Sequence, residues 1–511
     1  MLSKVWSAAT LGIDAVRITI EVDARLGQPG FRLVGLPDTA VREAYSRVST
    51  ALHHCGYWLP ARAITVNLSP ADVKKEGSGF DLPIAIGILH AMDFLGDEQV
   101  AGRVFAGELS LDGAIAPVRG TLSISAAVAR DDGVRELVVP SANANEAAAV
   151  RSVRVIGVSH LLALLRHLRG EEAIAPSPSL SSAPSEVDAA DFADVRGQAQ
   201  AKRALEVAAA GGHNVLMIGP PGSGKTMLAR RLPSILPRLS LEESITTTKI
   251  HSIAGTLPAG SGLLARRPFR APHHTISTAG LVGGGTPPRP GEVSLAHHGV
   301  LFLDELAEFR RDTLEVLRQP MEDGVVTIGR VARTTAFPSR FTLAAALNPC
   351  PCGYFNDARH ECVCSPVQIS RYLAKISGPL LDRIDLQIEV PALSPDEITS
   401  CAPGEASAAI RERVEAARRI QRDRFRRSGA QSNAEMSARQ LRRWCELDPS
   451  SRQLIEQAIA RLGLSARAYD RVLKVARTIA DLAGTERLDS AHVAEAVHYR
   501  AMDRGYFRCA S

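Results

Sequence analysis

The octapeptide Gly219-Pro220-Pro221-Gly222-Ser223-Gly224-Lys225-Thr226 fits the pattern Gly-x-x-x-x-Gly-Lys-Ser/Thr at every fixed position. Its flanks give the string its meaning. Asn214-Val215-Leu216-Met217-Ile218 before it is a short apolar run that predicts a buried strand, and Met227-Leu228-Ala229-Arg230-Arg231-Leu232 after it has helical character. A strand, a glycine-bearing loop and a helix in that order bring backbone N–H groups together at a helix N-terminus, where the dipole also favours negative charge. Residues 219–226 therefore read as a phosphate-binding loop, with Lys225 reaching the β- and γ-phosphates of a nucleotide and Thr226 ligating Mg2+. A glycine turn that binds nothing is the alternative, and the strand–loop–helix setting weighs against it.

A second stretch supports the first. Gly299-Val300-Leu301-Phe302-Leu303-Asp304-Glu305 reads as a buried parallel strand that ends in two acids. Acids at the carboxyl end of such a strand face the ligand crevice of an open α/β sheet. Asp304 is expected to hold Mg2+ through water, and Glu305 to polarise the attacking water.

Length and composition bound the rest. At 511 residues the chain is too long for one hydrophobic core and predicts two to four domains. Hydrophobic residues make up 45% and charged residues 23%, a soluble globular profile. A net charge of +5 permits an acidic partner without requiring one. No apolar run is long enough for a bilayer, and the first residues, broken by Asp14 and Arg17, do not read as a signal peptide. With eight cysteines and no export signal, the expected compartment is the reducing cytoplasm.

Four regions follow along the chain. Residues 1–170 mix strand-like runs (Val16–Val22, Ala63–Leu68) with a buried helix at Leu82–Leu89. Residues 171–187, rich in Pro and Ser, read as a linker. Residues 188–393 form the α/β domain that carries the loop, and residues 394–511 are helical in pattern.

At this point the sequence resembles a known group, the AAA+ ATPases, and within it the magnesium-chelatase-like YifB/ComM family. The resemblance is carried by Phe192-Ala193-Asp194-Val195-Arg196-Gly197-Gln198, by the stretch from Arg267 to Gly285, and by Ser377 to Leu386. It implies a P-loop AAA+ domain with a helical lid, preceded by an α+β domain like that of Lon protease (of the ribosomal S5 domain 2 kind), with ATP and Mg2+ as cofactors. By the same similarity Asn348, after the strand Phe341–Leu347, matches the sensor that helps to place the water. Arg383 matches the arginine finger that completes a neighbouring subunit's site, and Arg467 matches the second sensor in the lid. A plain ion pair for Arg383 and a solvated helix charge for Arg467 are the alternatives. The finger implies a ring, by analogy a homohexamer.

Residues 73–135 look like the Lon protease domain, but without its chemistry. Laid over the Lon pattern, the nucleophile position falls on Gly79 and the lysine position on Leu122, and residues 104–129 contain no lysine. The domain is expected to be proteolytically dead and to serve assembly or partner binding.

Three further features bear on the partner. Arg411–Arg427 holds eight arginines against three acids; a solvated helix face with pairs such as Glu415–Arg419 outweighs nucleic-acid contact. Lys249, Arg270, His273 and His274, and a hairpin at Val325–Phe341 with Arg330 and Arg333 near its turn, are candidates to line the pore of a ring. Met227–Pro268 contains no Phe, Tyr or Trp with which to grip peptide, which leans toward DNA. Finally, Cys350, Cys352, Cys362 and Cys364 can make a tetrahedral zinc site, although a single residue between cysteines strains chelation of one ion. Reduced structural thiols or a redox pair are the alternatives. The resemblance implies a hexameric helicase that moves branched DNA in recombination and natural transformation. A protein remodeller or chaperone and a magnesium-chelatase-type metal-insertion motor are the other classes. A chelatase motor is expected to lack the Lon-like domain.

Overall fold

The structure, a computed structural model, describes residues 2–59, 62–178, 190–258, 260–330, 333–357, 359–393, 404–463 and 465–500. The β-branched runs of the N-terminal region form strands, as their alternation predicts. Val16–Val22 lies within Asp14–Leu26 and Ala63–Leu68 within Arg62–Ser69, paired antiparallel with Ile20 opposite Leu68 and Val22 opposite Val66. These two strands sit in a seven-stranded mixed sheet. Its order is Gly30–Val34, Arg62–Ser69, Asp14–Leu26, Leu2–Leu11, Arg103–Phe105, Glu136–Pro140 and Arg154–Val158. The predicted helix runs Asp81–Ala91, with Pro83 in its first turn, and every one of its residues is buried against the sheet. Leu82, Ile84, Ile86, Ile88 and Leu89 each contribute about 1.5–3 kcal/mol on that account.

The second sheet positions the candidate site. Its five strands run Phe269–Arg270, Val300–Leu303, Thr342–Leu347, Val215–Ile218 and Leu386–Glu389, all parallel. Strands buried on both faces read as continuous apolar runs rather than alternating ones. Val215–Ile218, Val300–Leu303 and Thr342–Leu347 are buried at every position. Because the strands are parallel, the residues that follow Ile218, Leu303 and Leu347 emerge side by side at one edge of the sheet.

Among described residues 404–500 there is no strand. The helices there do not stand apart from the sheet. Ile410, Val414, Ala417, Val472 and Ile479 share one core with Val215, Met217, Phe302 and Ala344. The N-terminal region is likewise fastened to the second sheet's domain through the helix Leu241–Ala254. Ser252 Oγ donates to the buried Glu146 carboxylate and accepts from Gly120 N at 2.9 Å, while Lys249 Nζ donates to Asp14 Oδ1 at 2.9 Å.

Of the expected linker 171–187, residues 179–187 lie outside the described residues. The first part is held against the N-terminal body: Ile174 N donates to His167 Nδ1 at 3.0 Å and Ser177 N to Val155 O at 2.8 Å. No helix among the described residues is long and apolar enough to cross a membrane.

Candidate active site

The loop between Ile218 and the helix Lys225–Ile235 takes the shape its glycines permit. Gly222 and Gly224 have φ of +77° and +91°, a region L-residues with side chains rarely adopt, and nothing stands within 4 Å of a Cβ built on Gly222. The loop thus leaves an open concavity at the helix N-terminus.

Lys225 points back under this loop. Its Nζ donates to Gly219 O at 2.6 Å, Pro220 O at 2.9 Å, Ser223 Oγ at 3.4 Å and Asn348 Oδ1 at 3.3 Å. The residue is 7% exposed, and these partners are all neutral oxygens. Burial therefore pushes its pKa down to about 8, although Asp304 and Glu305 pull it back up. A buried ammonium bonded only to neutral oxygens is a site waiting for an anion, and a phosphate chain fits it. Thr226 Oγ1 donates to Asp304 Oδ2 at 2.7 Å, so the hydroxyl and carboxylate that would flank Mg2+ already face each other.

Glu305 follows Asp304 with φ of +52°, and its side chain is 53% exposed. His274 Nδ1 lies 3.5 Å from its Oε2. The His274 ring packs against His273, with centroids 4.0 Å apart, and edge-on to Phe309 at 6.3 Å.

Arg383 sits elsewhere, just before the strand Leu386–Glu389 and so at the opposite end of the sheet. It is 6% exposed; it ion-pairs with Glu322 and donates to Pro379 O at 2.7 Å. Arg467 is exposed in the first turn of the helix Ala466–Leu482. The four cysteines Cys350, Cys352, Cys362 and Cys364 gather in the loop beyond Asn348, with their sulfurs all within 4.8 Å of one another.

Of the cations the sequence suggested for a pore, Lys249 and Arg270 have acid partners within the chain. Lys249 is paired with Asp14, and Arg270 makes a bidentate pair with Glu292 at 2.6 and 2.7 Å. In the basic helix, now Ser407–Phe425, Arg413 binds Glu405 and Glu206, and Arg424 binds Asp481. Glu415 takes the backbone N–H of Arg238, at 3.4 Å. Arg413 thus ties this helix to Ala199–Gly211 of the nucleotide-binding domain, and Arg424 ties it to the helix Ala466–Leu482. The hairpin Val325–Arg330/Arg333–Pro338 is present, while the side chains of Arg330 and Arg333 lie outside the described residues.

Sequence reading missed three residues. His274 was noticed as a cation, not as the neighbour of Glu305; Glu322 carried no signal; and Arg471 ion-pairs with the buried Asp385, which also has His213 Nδ1 at 3.4 Å. Burial alone raises the Asp385 carboxyl, yet Arg471 and His213 hold it well below the usual carboxylate range. A cleft of about 1090 Å3 lies away from the phosphate loop. Asn214, Gly299 and Thr342, at the starts of the strands, line it together with Glu322 and Arg471.

A five-stranded parallel sheet, with a glycine loop after one strand and an Asp-Glu pair after another, defines a P-loop nucleotide-binding protein. Comparison with known proteins narrows the class. Residues 20–143, 191–398 and 404–500 match three family models, described as subunit ChlI of Mg-chelatase, magnesium chelatase subunit ChlI, and the C-terminal part of that subunit. The chain is 45% identical over 508 residues to the competence protein ComM of Haemophilus influenzae, and 44% identical over 504 residues to the YifB protein of Escherichia coli, covering 98% of each chain in both cases. An archaeal Lon protease from Methanothermobacter thermautotrophicus is 39% identical over 70 residues, 13% of this chain and 11% of that one. The chain belongs to the YifB/ComM family of magnesium-chelatase-like AAA+ ATPases. Membership implies ATP and Mg2+ as cofactors.

Proposed function

We propose that this chain is an ATP-driven motor that assembles as a homohexameric ring and moves branched DNA, as a helicase acting in recombination and natural transformation. The convergence of Lys225, Thr226, Asp304 and Asn348 carries the hydrolytic part of the reading. The amides of residues 219–226 and the Lys225 ammonium hold the phosphates. Thr226 and Asp304, hydrogen-bonded to each other here, would hold Mg2+, Asp304 through water. Bound Mg2+ neutralises charge that develops on the phosphate oxygens. Glu305 polarises the attacking water, and Asn348, already bonded to Lys225, fixes where that water sits.

Arg383 is the finger that completes the next subunit's site, and in the isolated subunit Glu322 keeps it folded away. Arg467, exposed at the start of its helix, is the lid's second sensor. The hairpin that begins at Val325 follows directly on the helix Arg318–Asp323, which contains Glu322. Strain on the hairpin from a bound polymer therefore reaches the partner of Arg383 within a few residues.

Likeness to a competence protein and the lack of aromatic residues in Met227–Pro268 support DNA as that polymer. The N-terminal domain, Lon-like in residues 73–135, is proposed to be a docking body. Leu122 is fully buried, and the Ser78 hydroxyl donates to Glu108 rather than to a lysine. Turnover measured across forks, junctions and single strands, beside unfolded protein and a porphyrin-binding partner, tests the assignment. Stimulation by branched DNA alone is the expected result. Stimulation only by protein points to a remodeller, and only by the porphyrin partner to a metal-insertion motor.

A further inference from the structure

The loop that follows Asn348 carries four cysteines that the nucleotide chemistry does not use. Cys350 is fully buried; Cys352, Cys362 and Cys364 are half-buried. The Sγ–Sγ separations are 3.3 Å for Cys350–Cys352, 3.7 Å for Cys350–Cys362 and 3.6 Å for Cys352–Cys362. None is near a disulfide bond length of about 2.05 Å. A tetrahedron of sulfurs at the usual zinc–thiolate distance has edges of about 3.8 Å. The cluster is thus already close to the size one ion needs.

Spacing argues against a single ion only if the chain between Cys350 and Cys352 is extended, and it is not. Gly353 N donates to Cys350 O at 3.0 Å, and Gly353 has φ of +88°. This tight turn swings both sulfurs to one side. Backbone N–H groups also converge on the sulfurs: those of Phe355 and Gly353 on Cys350, and those of Tyr354 and Val363 on Cys352. Donors aimed at sulfur support thiolates that hold a cation.

We propose that Cys350, Cys352, Cys362 and Cys364 bind one zinc ion as four thiolates, and that this ion fastens the loop between Asn348 and the helix Pro366–Leu373 against the phosphate loop. The fastening point is Gly353, where a Cβ would stand 2.5 Å from Pro221 Cδ. The helix at the far side is fixed by its own capping box, with Ser365 Oγ accepting from Gln368 N at 3.3 Å and Ser365 N donating to Gln368 Oε1 at 2.8 Å. With four protein ligands the ion has no open position, so it is structural and activates no water. Binding releases the thiol protons to solvent, and no electron moves.

The metal assignment stands apart from the nucleotide reading; only the effect on the phosphate loop rests on it. Full-length protein purified under reducing conditions with zinc supplied is analysed for metal, alongside Lys225→Ala, Cys362→Ser, Cys364→Ser and Cys55→Ser. One zinc per chain is expected in the parent, in Lys225→Ala and in Cys55→Ser, which alters a buried cysteine outside the cluster. Cys362→Ser and Cys364→Ser, at half-exposed positions that tolerate serine, should lose zinc by roughly tenfold or more. Cobalt in place of zinc should show the charge-transfer and red d–d bands of a tetrahedral thiolate site. Protein without zinc, zinc retained undiminished in both serine variants, or disulfides found by mass spectrometry in their place overturns the proposal. For the coupling, zinc-free Cys362→Ser should bind a fluorescent ATP analogue several-fold more weakly than the parent. Unchanged affinity overturns the link to the phosphate loop and leaves the metal site standing.

Discussion

His274 Nδ1 stands 3.5 Å from Glu305 Oε2, the acid at the tip of the Val300–Leu303 strand. His274 is anchored by His273 and Phe309, whereas Glu305 is half exposed and, among the described residues, makes no other ion pair. The imidazole therefore sets the direction of a carboxylate that would otherwise swing freely. His274→Ala should lower kcat roughly tenfold and leave KM for ATP nearly unchanged, since misplacing a reacting group costs rate rather than binding. Steady-state kinetics decides it; a matching rise in KM would assign His274 to nucleotide binding instead.

Glu305→Gln keeps the shape and removes the base. Nucleotide affinity should persist while turnover falls by roughly 10²–10⁴-fold, leaving a ring trapped with ATP. Retention of parental turnover would move the base elsewhere.

Lys225 gives a pH dependence whose sign follows from its burial. Its pKa is depressed to about 8, and a triphosphate binds the charged form, so binding draws in a proton once the free protein has lost it. ATP affinity should hold below pH 8 and weaken as pH rises above it. Titration calorimetry in two buffers of different ionisation enthalpy should show proton uptake at pH 9 and little at pH 7. Lys225→Ala should remove measurable binding at every pH.

Arg383 is expected to act in the adjoining subunit. Arg383→Ala should reduce turnover by about 10³-fold or more, with partial recovery in mixed rings that contain parental subunits. Glu322→Gln, which loosens the ion pair that folds Arg383 away, should raise turnover in assembled rings. A mixing experiment without any recovery would place Arg383 in its own subunit's structure only.

Arg471 supports the far end of the sheet. Arg471→Ala removes the guanidinium that pairs with the buried Asp385 carboxylate and should destabilise the chain by about 3 kcal/mol. Denaturant midpoints read this directly, and nucleotide affinity of the folded fraction should be unaffected.

The local chemistry was legible because it is written in contiguous residues. The strand–loop–helix around Lys225 and the Asp304-Glu305 strand end were visible as strings, and Asn348, taken from resemblance, lands on Lys225. What was not legible was the partner of each isolated cation. Lys249 finds its acid 235 positions away, at Asp14, and Arg424 finds Asp481 across two helices. A charge run reports composition, whereas its partners are chosen by tertiary packing. His274 and Glu322 escaped for the same reason, since neither has a neighbour in sequence that announces its role.

Ser252, held between Glu146 and the amide of Gly120, makes the helix Leu241–Ala254 a splice between the first 160 residues and the nucleotide-binding domain. A splice transmits torque. Under the motor reading proposed above, a rotation of that helix would be borne by the N-terminal body as well.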